Sequence, residues 1–427
     1  MKSVPTHWKL CKLGDVIRLK NGYAFKSNDY TEDGIPLIRI SDINDNKVTV
    51  DSAVRIPREK ANADFYIESG DLLIAMSGAT TGKTGVYNGR APILQNQRVG
   101  NFKIIDENIL DKRYRNYYVA SLRKDIEKAA YGGAQPNISS KGIESFDFPL
   151  APIDEQKLIV SEIEKQFSRL DEAVAALKRV RAGLKRYKAS VLKAAVEGKL
   201  TEEWRKRRGE KTSLLQKQGA ELPEGWVCAK LDEVAEINPK SPKNIPDNVE
   251  VSFLPMKLVQ EETGVIDLSI TKKFGEVKRG YTSFINNDII FAKITPCMEN
   301  GKIAIVENLK NGLGFGSTEF HVIRLHEPKS NKYLFYFLLQ RDIRKQAQRN
   351  MTGTAGQLRV PAKFMQEISV SLPPISEQLK IVEEIESRLS VAEEVEEAID
   401  INLKRAERLR QAILKKAFSG RLVEANN

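Results

Sequence analysis

Apolar positions recur every three or four residues along two stretches of the chain. Each stretch opens at a proline and closes at a glycine. After Pro152 the stripe is Ile159, Ile163, Phe167, Leu170, Val174, Leu177, Leu184 and Val191; after Pro374 it is Ile381, Ile385, Leu389, Ala392, Ile399, Leu403, Ala406 and Ile413. This spacing approximates a heptad seam. Proline suits a first helical turn and blocks helix before it. Asp154-Glu155 and Ser376-Glu377 place cap-type and acidic residues in that turn, and Gly198 and Gly420 fall where a C-terminal cap belongs. The pattern predicts two helices of about 40 residues, roughly 60 Å each at 1.5 Å per residue. A lone helix of that kind cannot bury its stripe. Antiparallel pairing of the two as a coiled coil is the economical solution, and packing of each on its own globular unit is the alternative.

The segments before these helices read differently. PLIRISDI, DLLIAMSG, KTGVYNG and VGNFKIID, and later VSFLPM, DIIFAKI, KIAIVEN and FHVIRLH, are short strand-like runs broken by Gly, Asn and Asp. A helical stretch follows in each half, over 113–130 and 331–348. It leads into a Gly-rich loop, YGGAQPNIS (131–139) or MTGTAGQLRV (351–360). The expected class is α+β: two β-rich units, each followed by a long helix.

The chain is written twice. LAPIDEQKLIVSEIEK (150–165) repeats as LPPISEQLKIVEEIES (372–387) at an offset of 222 with no gap, and nineteen positions agree between Leu150–Leu200 and Leu372–Leu422. A weaker repeat joins VPTHWKLCKLGDV (4–16) to LPEGWVCAKLDEV (222–234), with Trp8 matching Trp226, and Gln135 aligns with Gln357. So long a period means duplicated domains rather than a solenoid. The expected segments are 1–150 and 218–371 for the globular units, with 151–217 and 372–427 for the helical regions. Antiparallel helices would give the molecule a pseudo-two-fold axis. Two similar units at fixed separation would suit two half-sites on a duplex.

Charge sharpens this picture. Of the net +11, residues 151–217 carry +7. A concentrated basic stripe suits a polyanion, because neutralising phosphates releases counterions; it also suits a solvated helix face. At 41% hydrophobic and 29% charged residues over 427 positions, the composition is that of a globular chain and excludes disorder or a disulfide framework. The sequence shows no apolar run of membrane-spanning length and no signal-peptide h-region near its start, so a cytoplasmic protein is expected. Cys11, Cys228 and Cys297 lie far apart, which fits a reducing compartment and argues against a cysteine zinc site.

Catalytic patterns fail on inspection. SGATTGKTG (77–85) resembles a Walker A loop, but Gly78 and Gly82 are separated by three residues where four are needed. His7, His321 and His326 have no metal-ligand spacing. No GxSxG, GxGxxG or [DN]PP[YF] segment is present. The residues describe a two-headed binding module without a catalytic centre.

PLAPIDEQ and LPPISEQ opening long helices, VLKAAVEGKLTEEWR and ILKKAFSGRLVE closing them, and the GDLLIAMSGATTGK and DIIFAKITPCMENGK loops together resemble the specificity subunits of type I restriction–modification systems. The resemblance covers essentially the whole chain. It implies a non-catalytic DNA-reading subunit, with target-recognition domains at 1–150 and 218–371 and conserved helical regions at 151–217 and 372–427. Each recognition domain would read one half of a bipartite duplex site. Two methyltransferase subunits would supply S-adenosylmethionine and adenine methylation, and motor-nuclease subunits ATP and Mg chemistry; no cofactor is expected in this chain. A stand-alone bipartite DNA-binding regulator is the alternative reading.

Residue type and loop position nominate DNA contacts, since Arg and Lys suit guanine or phosphate while Asn and Gln suit adenine. In the first unit they are Lys20, Tyr23, Lys26, Arg39, Ser77, Thr80, Thr81, Lys83, Gln97, Arg98, Gln135 and Asn137. In the second they are Lys240, Lys257, Arg279, Lys293, Thr295, Asn300, Lys302, Ser317, Thr318, Gln357 and Arg359. Arg98 and the Thr318-Glu319 pair also suit buried structural roles.

Overall fold

The computed structural model describes residues 4–44, 46–130, 136–209, 214–217, 220–354 and 356–423. The long helices span Ile153–Val196 and Ile375–Ala417. They begin directly after Pro152 and Pro374, as the sequence predicts. The chain forms two compact units, 1–177 with 400–427, and 178–399. The units divide inside the long helices, so the boundaries expected at 150, 217 and 371 all fall within a unit. The physical reason is that each unit takes the start of one long helix and the end of the other.

In the first unit Lys9–Lys12 pairs antiparallel with Asp147–Leu150 as a separate two-stranded ribbon, and the other strands form two larger sheets. One orders Ile17–Asn21, Val99–Ile104, Leu72–Ala75, Thr84–Val86, Asn46–Val48 and Ile43–Asn44; the other orders Arg55–Ile56, Ile35–Ile38, Ile93–Gln95 and Tyr66–Ile67. The second unit repeats the plan. Its larger sheets are Ala235–Ile237, Phe320–Leu325, Ile289–Ala292, Ile303–Ile305, and Thr271–Lys273, Glu250–Leu254, Leu313–Gly316, Thr282–Ile285, and Val227–Lys230 pairs with Ser369–Leu372 as Lys9–Lys12 does with Asp147–Leu150. In both, a parallel pair sits inside an otherwise antiparallel sheet: Ile35–Ile38 with Ile93–Gln95, and Glu250–Leu254 with Leu313–Gly316. The helical stretches after the strands are each broken in two. The second breaks at Gln340, whose extended backbone ends Asn331–Leu339 and whose side-chain amide donates to the Phe337 carbonyl at 2.9 Å.

Both units bury the helix stripe by antiparallel pairing. In the first, Ile159, Val160, Ile163 and Phe167 share a core with Leu414, Ala417 and Phe418; the Arg410 guanidinium pairs with Asp171 and lies 4.6 Å over the Phe167 ring. In the second, Val191, Leu192 and Ala195 share a core with Ile381, Val382 and Ile385, and Lys188 donates to Glu396 at 2.7 Å. The seam is wider than the heptad reading. Val160, Leu192, Ala195, Val382, Leu414 and Ala417 are also buried, because near its ends each helix meets both its partner and the strands. Leu170, Val174, Leu177, Leu184, Leu389, Leu403 and Ile413 are only half-buried, whereas Ala392, Ile399 and Ala406 of the second stripe are buried.

A carboxylate in the first turn of each helix locks the assembly. Glu377 is buried; it accepts from Trp226 Nε1 at 2.9 Å and Thr201 Oγ1 at 2.7 Å, and it pairs with Arg205. Arg205 in turn donates to the Gly198 carbonyl at 2.7 Å. Gly198 has φ +70°, and a Cβ there would collide with Pro223; Gly420 has φ +68° and would collide with Pro5. The first unit uses the weaker version: Glu155 accepts from Trp8 Nε1 at 3.0 Å and faces the half-exposed His7 ring at 2.9 Å.

The Gly-rich loop of the second unit rests on a buried imidazole. Val360 O accepts from His321 Nε2 at 2.8 Å, and Nδ1 faces Asn238 Nδ2 at 3.1 Å. A carbonyl partner fixes the proton on Nε2. Burial pushes the His321 pKa down, with Lys293 acting in the same direction and Val360 and Glu319 opposing.

Replacing Glu377 by Ala leaves Arg205 buried and unpaired, so a loss of about 3–5 kcal/mol is expected in denaturant unfolding; Glu155→Ala costs less, because His7 reaches water. For His321 the unfolded chain holds the extra proton first. Stability contributed by the neutral ring is therefore complete above the ordinary histidine pKa, about 6.5, and is lost as pH falls below it. The melting temperature of the parent should drop more between pH 7.5 and 5.5 than that of His321→Gln; equal drops would contradict the neutral buried ring.

Candidate nucleic-acid interface

In the first unit, backbone pairing gathers four loops onto one face. Tyr23 N donates to Gln95 O at 3.1 Å, Met76 N to Arg98 O at 3.0 Å, Gly78 N to Pro136 O at 3.0 Å and Ile138 N to Met76 O at 3.1 Å; Ser77 bridges Asn137. Gln95 is the buried anchor of the QNQRV segment, donating to Lys20 O and Val99 O, and this leaves Gln97 and Arg98 exposed. The face therefore carries Tyr23, Ser77, Gln97, Arg98 and Asn137. Lys20 is exposed on its strand with Nζ 5.8 Å from the Phe65 ring centre; Tyr23 packs on Phe25 and Phe65 at 5.0 and 5.5 Å.

Several nominated residues do other work. Thr81 is buried, its hydroxyl donating to Gly78 O at 2.7 Å, so it shapes the loop rather than facing outward. Thr80 Oγ1 is buried without a partner among the described residues. Arg39 turns back on Asp42 at 3.7 Å, Lys26 opens a 3-10 turn, and Lys83 reaches Asn44 at 3.2 Å. Gln135 lies outside the described residues.

The second unit builds the same face from different side chains. Lys293 N donates to Glu319 O at 2.9 Å, Val360 N to Lys293 O at 2.8 Å, and Ile294 bridges Arg359. These bonds put Lys293, Ser317, Thr318, Gln357 and Arg359 together. Glu319 stands where Arg98 stands in the first unit, and Arg359 where Asn137 stands. Arg359 holds Glu319 with Nε at 3.1 and 2.9 Å and Nη2 at 2.9 Å, which lowers the Glu319 pKa and raises that of Arg359. Thr295 Oγ1 is engaged by Glu299 at 2.9 Å, Asn300 by Glu261 at 2.8 Å, and Lys302 Nζ by Met256 O at 3.2 Å. Thr295 is thus tied within its own loop, and Asn300 and Lys302 are tied to the segment around Met256 and Glu261. Lys240, Lys257 and Arg279 are exposed but belong to separate turns.

The sequence reading missed an aromatic–lysine cluster. Phe253 and Tyr281 meet edge to face at 5.0 Å, with Lys272 Nζ 4.3 Å from the Phe253 ring centre. Tyr281 and Phe65 occupy equivalent places, each just before a strand that pairs with the parallel-paired strand of its sheet. Only Phe253 of the three lies in a strand-like run of the sequence; Lys272 and Tyr281 lie outside those runs, so no local pattern joins them. On the central helix, Lys178, Arg179, Lys185 and Arg186 are exposed. Among the described residues, no group of three or more His, Cys, Asp or Glu side chains is placed to hold a metal ion, and no helix is long and apolar enough to cross a membrane.

Comparison with known proteins gives these faces a context. A family profile described as "Type I restriction modification DNA specificity domain" matches residues 5–180 and 223–405, one match for each repeat. The EcoAI specificity subunit of Escherichia coli is 34% identical over 305 residues, covering 64% of this chain and 51% of that subunit. The Escherichia coli EcoEI specificity subunit is 36% identical over 244 residues, 50% of this chain and 41% of that one. The chain thus spans about half the length or less of these two relatives. The Escherichia coli EcoBI specificity subunit is 26% identical over 442 residues, 98% of this chain and 87% of the relative. A solved chain from a type I R-M system studied for its complex assembly shares the fold at TM-score 0.71 and 18% identity, covering 98% of this chain and 99% of its own. The HsdS subunit of Thermoanaerobacter tengcongensis does so at 0.54 and 18%, covering 98% of each. With its family profile matched once in each repeat, this chain belongs to the type I restriction–modification DNA specificity family.

Proposed function

We propose that this chain is the DNA-sequence-reading subunit of a type I restriction–modification complex, itself without catalytic chemistry. Each unit's loop face reads one half of a bipartite duplex site. The paired helices set the half-site spacing and dock two methyltransferase subunits, and motor-nuclease subunits complete the assembly. S-adenosylmethionine, ATP and Mg belong to those partners. The observation that carries this reading is the twice-built face: identical backbone bonds hold Ser77 to Asn137 and Ile294 to Arg359, while the side chains presented differ. A shared frame with unlike side chains is what two independent sequence readers need.

The long helices also leave apolar side chains uncovered. Val180, Tyr187, Val391 and Val395 are exposed in the second unit, and Ile401 and Leu409 in the first; Tyr187 and Leu409 are equivalent positions in the repeat. Exposed apolar groups recurring along these helices suit docking of other protein subunits.

Two measurements test this reading. Co-expression with a candidate methyltransferase, followed by mapping of modified bases, should yield a split motif with N6-methyladenine in both halves. Duplex binding without methylation would favour a stand-alone regulator. Absence of methylation together with salt-insensitive DNA binding would contradict DNA reading altogether, since phosphate contacts impose a steep salt dependence. Tyr187→Glu with Leu409→Glu should abolish co-purification of the methyltransferase while leaving the melting temperature near that of the parent.

A further inference from the structure

We propose that Arg359 reads a guanine in the half-site of the second unit, with Glu319 as its positioning residue. The inference rests on the DNA-reading function above and names one base that function depends on.

The guanidinium has five N–H groups. The Nε–H and one Nη2–H are taken by the Glu319 carboxylate at 2.9–3.1 Å, and one Nη1–H by the Gln357 carbonyl at 3.0 Å. Two N–H groups remain without a partner among the described residues, one on each terminal nitrogen. A pair of donors on adjacent nitrogens is the complement of guanine N7 and O6 in the major groove. The Arg359 side chain is 41% exposed, against 23% for Glu319, so the guanidinium meets solvent while the carboxylate lies behind it.

The backbone beneath is fixed. Arg359 N donates to Thr352 O at 2.8 Å, Thr352 N returns to Arg359 O at 2.9 Å, and the next carbonyl, Val360 O, is held by His321. Orientation of the guanidinium before binding removes the rotamer entropy that a free arginine loses on docking.

An ion pair that merely tethers the loop is the plain alternative. The first unit argues against it. There the equivalent bridge, Ser77 to Asn137, forms with Arg98 and Asn137 at the two positions and no ion pair. The face therefore does not need the Glu319–Arg359 pair to fold. What the pair adds is a fixed, outward donor fork, and the first unit, with an exposed amide at Asn137, presents a different preference.

The test is selection of the full-length chain on a library of randomised duplexes, with sequencing of the bound fraction and a thermal melt of each variant. The parent should enrich a two-part motif. Arg359→Gln should lose a guanine preference of about 5- to 150-fold at one position of one half, leaving the other half unchanged. Glu319→Gln should weaken the same position without replacing its base. The exchanged pair, Glu319→Arg with Arg359→Glu, keeps an ion pair and should melt like the parent, yet lose that guanine. If the exchanged pair selects the parent motif, or if Arg359→Gln melts like the parent and selects an unaltered motif, the assignment is wrong. If the parent selects no motif, the DNA-reading function fails, and this inference with it.

Discussion

An amphipathic helix of more than forty residues cannot bury its apolar stripe alone, and this constraint organises the chain. The stripe beginning at Ile159 finds its cover in Leu414, Ala417 and Phe418; the stripe ending at Val191 and Ala195 finds it in Ile381, Val382 and Ile385. Covering the stripe by antiparallel pairing brings the end of each helix beside the start of the other. The carboxylate of Glu377 then ties the start of the second helix to Thr201 and Arg205 just past the end of the first, while Glu155 ties the start of the first to Trp8 and His7. Glu377 is the stronger one, because burial makes its attraction for Arg205 and its bonds to Thr201 and Trp226 costly to break.

On this frame the chain holds one loop architecture in two editions. Backbone bonds carry the shared part: Met76 to Arg98 and Ile138, Lys293 to Glu319 and Val360. Because those bonds use main-chain groups, side chains at the face are free to differ, and they do. Arg98 faces solvent where Glu319 is drawn into a pair, and Asn137 stands where Arg359 stands. Backbone-built scaffolds with variable side chains separate stability from specificity, which lets one fold serve many target sequences.

Much of this was legible in the residues. Proline, acidic first turn, periodic stripe and terminal glycine together located both long helices and their caps, because each signal has a local cause. The 222-residue offset revealed the duplication. What stayed hidden was long-range. Glu155 and Glu377 read as ordinary first-turn acids, since nothing near them in sequence announces Trp8 or Trp226 as partners. Thr81 looked like a loop donor, but its hydroxyl turns inward to Gly78 O. In QNQRV the buried polar residue is Gln95, and Arg98 is exposed. The compact units divide within the helices because contacts between residues more than 200 apart decide them. Phe253, Tyr281 and Lys272 went unnoticed because their cluster forms only when three separate segments meet.

The central claim is that two faces of one chain read two separate segments of one duplex. A hydroxyl-radical footprint of the full-length chain on its selected duplex measures this most directly. Two protected tracts with a less protected spacer are expected, with loss of protection in one tract alone when that half-sequence is changed. A single continuous tract, unaltered by changing either half, would contradict it.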